Sequence, residues 1–135
     1  MGRILAIDYG TKRTGLAVTD PLRLIAGALA TVETKQLERY LAEYFAKNDV
    51  DVIVVGKPSQ MSGKPSETMR FIEPLAGRLR HAYPEKQVVL YDERFTSVMA
   101  HRTMLESGIG KKARQDKALV DRIAATIILQ SYMES

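Results

Sequence analysis

The run ILAID at residues 4–8 closes on a carboxylate, and YGTKRTG follows it directly. A second acidic site, Asp92 with Glu93, ends the apolar run VVLY, and Asp121 lies within a largely apolar C-terminal segment. The chain has no cysteine, and its two histidines, His81 and His101, belong to no ligand motif, so carboxylate oxygens are the metal donors on offer. Hard divalent cations such as Mg²⁺ prefer oxygen ligands, and two-metal phosphoryl chemistry uses acids to hold ions about 3.5–4 Å apart beside a phosphate. Gly10 would let the backbone approach that phosphate, with Lys12 and Arg13 beside it. Singly, each acid has a plainer reading: Asp8 as a turn former, Glu93 as a solvated strand end, Asp121 as an ion-pair partner of Lys117. The conjunction of three favours the metal and the phosphate.

The elements that must position these groups follow from periodicity. Residues 3–7 and 14–19 read as two strands of a hairpin around the 10–13 turn, and 25–32 as a third strand. Leu37, Tyr40, Leu41, Tyr44 and Phe45 recur at helical spacing and predict a helix over 35–47. The β-branched run 52–55, closed by Gly56, predicts a strand buried on both faces, and 88–91 a further buried strand. Helices are expected at 68–81, where Pro74 should introduce strain, at 97–107, and at 116–133. Hairpin strands followed by strands alternating with helices imply an α/β fold, a mixed central sheet flanked by helices. A length of 135 residues suits a single domain, 1–135.

These elements sort the acids. Ile4, Ala6 and Asp8 share a strand face, so Asp8 continues a buried face at the carboxyl end, where α/β sheets usually hold ligands. Asp92 and Glu93 point to opposite sides if their strand continues, so at most one faces the same crevice. On the last helix Asp121 shares a stripe with Ala118, Ala125 and Ile128, whereas Asp116 lies roughly 140° away in azimuth. A carboxylate on an apolar stripe is costly unless it is paired or binds a cation. The loop after the 52–55 strand, residues 56–67 with Lys57 in it, lies on the Asp8 edge and is placed to meet substrate; an ordinary polar loop is the alternative. Its SGKPS stretch fails the spacing of a nucleotide-binding P-loop.

A net charge of +4 suits an anionic partner. Residues 94–122 alone carry that whole excess, and Lys111, Lys112 and Arg114 within them are candidate contacts to a nucleic-acid backbone, with a solvated helix face as the plainer reading. No run approaches the roughly 20 apolar residues of a membrane span, and the N-terminus lacks a signal peptide's apolar core, so a cytoplasmic protein without membrane attachment is expected.

From ILAIDYGTKRTGLAVTD through VIVVGKP and YDERFTS to KALVDRIAATIILQSYMES, the chain resembles the YqgF family, described as pre-16S rRNA nucleases and as Holliday junction resolvase-like proteins of ribonuclease H-like fold. The resemblance implies a metal-dependent nuclease whose acids correspond to Asp8, Glu93 and Asp121, with Mg²⁺ or Mn²⁺ as cofactor. It implies a structured RNA substrate, precursor 16S rRNA free or on the ribosomal particle, and an alternative in branched DNA, which would favour a homodimer over a monomer. A non-catalytic RNA- or ribosome-binding module is the reading from another class. The chain departs from the family pattern in GKPSQMSG after the 52–55 strand and in Arg122 after Asp121; neither change touches a proposed metal ligand.

Overall fold

The structure, a computed structural model, describes residues 2–57, 69–92 and 117–134. The expected helix at 97–107 lies outside these, as do Glu93, Lys111, Lys112, Arg114 and residues 58–67 of the expected 56–67 loop, whose first two residues, Gly56 and Lys57, instead continue the preceding strand.

Five strands form one sheet: β1 (Arg3–Asp8), β2 (Arg13–Thr19), β3 (Ala26–Glu33), β4 (Val50–Lys57) and β5 (Gln87–Asp92). Their order is β3-β2-β1-β4-β5. The short turns after β1 and β2 make those pairings antiparallel, while helical crossovers make β1–β4 and β4–β5 parallel. The helices among the described residues are α1 (Leu37–Lys47), entered through a 3₁₀ turn at Thr34–Gln36, then α2 (Met69–Ala82) and α3 (Lys117–Glu134).

Strand alternation divides the core into two layers. Leu5 and Ile7 of β1, with Leu16, Ile53 and Val55, pack against Leu37 and Leu41 of α1 and Ile72, Leu75 and Leu79 of α2. Each such side chain, when fully buried, contributes roughly 1.5–3 kcal/mol. On the opposite face Ile4, Ala6, Ala17, Val52 and Val54 meet Ala125, Ile128 and Leu129 of α3. Alanine on both sides of this layer lets α3 approach the sheet closely. β1 is therefore covered on both faces and paired on both edges.

The end of the sheet away from Asp8 is latched by polar contacts. The Gly2 amide donates to the Asp51 carboxylate at 2.9 Å, and Arg23 bridges that carboxylate (3.1 Å) and the Gly2 carbonyl (2.8 Å). Arg23 sits at φ 58°, unusual for a non-glycine residue. Asp20 supports this turn by accepting the amides of Leu24 and Ile25 at 2.7 and 2.9 Å. Donation from Ile25, joined by Leu24, holds the Asp20 carboxyl below the ordinary carboxylate range.

One expectation needs correction. The segment 88–91 is only half-buried, and among the described strands β5 is the outer one on its side of the sheet. The expected helix with Pro74 inside it is present: α2 runs through Pro74 to Ala82, with Pro74 on the exposed side.

Candidate nuclease site

Parallel pairing of β1, β4 and β5 carries their carboxyl ends to one edge, so Asp8, Lys57 and Asp92 end neighbouring strands there. Asp8 is half-buried and continues the Ile4 and Ala6 face, the one covered by α3. It stands opposite Gly15 of β2, and one step beyond the Ile7–Val55 pair it has Gly56 of β4 on its other side. The carboxylate thus rises between two glycines that put no side chain beside it. Gly15 in turn pairs with Thr31 of β3, which places Thr31 on the same face two strands away.

Two elements on this face lie next in sequence to the other proposed ligands or carry one of them. Val89 and Tyr91 of β5 pack with Ile4 and Ala6, and Glu93 follows Tyr91 by two residues in sequence. The Tyr91 hydroxyl is 2.6 Å from the Ser131 hydroxyl and its ring meets Tyr132 edge-on, which ties the end of β5 to α3. Asp121 occupies α3 one turn before Ala125 and two turns before Ile128, both buried against the sheet. Among the described residues no cluster of three or more acids, histidines or cysteines stands in metal-binding range; Glu93 and the Asp121 side chain are outside that set.

The Gly10 turn is a built structure. A side chain at Gly10 would collide with the Arg13 carbonyl oxygen, so the tight turn requires glycine. The Thr34 hydroxyl donates to the Gly10 carbonyl, the Thr34 amide donates to the Lys12 carbonyl at 3.0 Å, and the Thr34 and buried Thr14 hydroxyls lie 2.9 Å apart. An open depression of about 370 Å³ beside the turn is lined by Thr11, Lys12, Arg13, Glu33 and Lys35. Three of its five lining residues are cations, and Lys35 is 3.6 Å from Glu33, both well exposed. Sequence reasoning found Gly10, Lys12 and Arg13 but missed Thr34 and Lys35. A threonine just ahead of an amphipathic helix was the available signal for Thr34.

Two solved structures share this architecture over nearly the whole chain. Thermus thermophilus RuvC, solved in complex with a Holliday junction substrate, aligns with TM-score 0.56 at 16% identity, covering 100% of this chain and 98% of its own. Fowlpox virus resolvase, solved with Holliday junction DNA, aligns with TM-score 0.54 at 20% identity, covering 98% and 97%. The fold is that of the ribonuclease H-like α/β domains.

Residues 2–135 match the family model described as "RuvX: Holliday junction resolvase", and the chain belongs to that family. A protein of Bacteroides thetaiotaomicron named "Putative pre-16S rRNA nuclease" is 57% identical over 135 residues, covering all of this chain and 98% of the relative. One of the same name from Parabacteroides distasonis is 53% identical, covering all of this chain and 96% of the relative.

Proposed function

We propose that the chain is a metal-dependent nuclease that hydrolyses phosphodiester bonds in the maturation of the 5′ end of precursor 16S rRNA. The observation that carries this reading is full-length identity above 50% to relatives named for that activity, in a chain that keeps Asp8 at the carboxyl end of its central strand. All 135 residues serve as one domain, and the substrate locates the protein in the cytoplasm. Among the described residues no helix is long and apolar enough to cross a membrane.

Asp8, Glu93 and Asp121 are an all-oxygen donor set suited to Mg²⁺ or Mn²⁺, and the two glycines beside Asp8 put no side chain of their own next to it. When bound, the cation supplies electrostatic stabilisation of the charge that develops on the phosphate oxygens. The chain's own part is placement. β1 fixes Asp8, and Gly10, Lys12 and Arg13 offer a close backbone and positive charge to the phosphates. Lys57, with Lys111, Lys112 and Arg114, adds positive charge for the flanking strand.

A second reading, resolution of four-way DNA junctions, is favoured by the family description and by the junction complexes of the two solved structures. One experiment decides. Purified protein is offered precursor 16S rRNA and a junction DNA in Mg²⁺ or Mn²⁺, with Asp8→Asn in parallel. Cleavage of the rRNA at its 5′ side by wild type only is expected. Cleavage of the junction alone would favour resolution, and equal behaviour of the two proteins would remove Asp8 from catalysis. No cleavage of either would leave the non-catalytic module.

A further inference from the structure

Beside the Asp8 edge, on the α2 side of the sheet, lies a partly exposed aromatic group. Tyr9, the residue after Asp8, and Phe71, in the first turn of α2, stack with ring centroids 6.5 Å apart and planes inclined by 27°. The Arg70 guanidinium carbon lies 4.9 Å from the Phe71 ring centroid. Tyr9 is half-buried against the core, which braces one side of the group, while Phe71 is 40% exposed. The buried stripe of α2 is made by Ile72, Leu75, Ala76 and Leu79, so Phe71 stands at its margin and the core does not need it. An exposed ring braced from behind, with a guanidinium over it and a phosphate-binding edge nearby, has the features of a base-stacking platform.

We propose that Phe71, supported by Tyr9 and Arg70, stacks an unpaired nucleobase of single-stranded RNA whose backbone crosses the Asp8 edge. The proposal rests on the nucleic-acid reading above and adds a base-binding subsite to it. Tyr9 and Asp8 are consecutive, so their Cα atoms are about 3.8 Å apart, and alternation sends their side chains to opposite sides of β1. One nucleotide can therefore place its phosphate on the Asp8 side while an adjacent base turns over the edge onto the ring. Stacking tolerates any base, so the subsite holds the strand without reading its sequence.

The test compares an oligoadenylate with an abasic sugar-phosphate strand of equal length and charge, both in Ca²⁺ to slow cleavage. Phe71→Leu should weaken oligoadenylate binding by about five- to a hundredfold and leave the abasic strand unchanged. Phe71→Trp should keep the affinity, and because the chain has no other tryptophan, its emission should be quenched by oligoadenylate and not by the abasic strand. Equal weakening on both strands, unchanged affinity in Phe71→Leu, or tryptophan emission indifferent to the base would overturn the platform and leave the nuclease reading standing. If wild type binds neither strand, both readings fall together.

Discussion

The Thr34 hydroxyl donates to the Gly10 carbonyl across a sequence separation of 24 residues, joining the entrance of α1 to the turn that follows Asp8. The cationic turn is therefore held by an element outside its own hairpin. Thr34→Val keeps the side-chain shape and removes the donor. It should cost about 0.5–1.5 kcal/mol of stability and raise the Kd for RNA severalfold through misplacement of Lys12 and Arg13. Chemical denaturation and binding isotherms on the same preparations measure both; unchanged affinity would show that the turn holds its form without Thr34.

Asp8→Asn should retain the fold and lose at least a hundredfold in turnover, since an amide does not neutralise a cation. Glu93→Gln and Asp121→Asn should follow it, while Asp92→Asn and Asp116→Asn should stay close to wild type. Cleavage rates for the five variants under saturating Mg²⁺ give the ranking. A reversal within either pair would mean that the neighbouring acid is the one that serves the site.

Lys111, Lys112 and Arg114 are expected to bind phosphates. Their combined replacement by alanine should flatten the dependence of log affinity on log salt by roughly 0.7 for each phosphate of a single strand that is no longer neutralised. Affinities should fall by similar factors on unrelated sequences, because phosphate contacts carry no base information. An unaltered salt slope would leave these residues as a solvated surface.

Asp20 has a folded pKa below its unfolded one, so its contribution to stability is complete above the unfolded value and is lost as pH falls through the folded value. Asp20→Asn should therefore be less stable than wild type at neutral pH, with the gap closing as the solution is acidified below about pH 4. Thermal melts of both proteins between neutral and strongly acidic pH test this, and a gap that stays constant would disconnect the carboxylate from the turn.

Much of the fold was legible because each buried strand is flanked by a turn or helix with its own chemical signature. The hairpin strands, the β-branched strand β4 and the spacing of Leu37, Tyr40, Leu41, Tyr44 and Phe45 each report a burial pattern the chain must satisfy locally. What could not be read depends on partners distant in sequence. β5 has the composition of an interior strand but is the outer one among the described strands, and composition does not encode strand order. Pro74 reads as lying within a helix, and α2 does pass through it while Leu75, Ala76 and Leu79 stay buried. Asp8 was visible as a strand-ending carboxylate, whereas Thr31, Thr34 and the Tyr9–Phe71 stack come to the site only through register and packing.

β1, covered on both faces and paired on both edges, has a consequence for regulation. Leu5, Ala6 and Ile7 are fully buried, so their amides should exchange with deuterium only when the whole domain opens, and no slower segment is expected. A carboxylate mounted on such a strand has no local opening through which an effector could move it. On the function proposed above, control over cleavage would act on the Gly10 turn, on the arrival of RNA or on the supply of cation, while the position of Asp8 stays constant for as long as the protein remains folded.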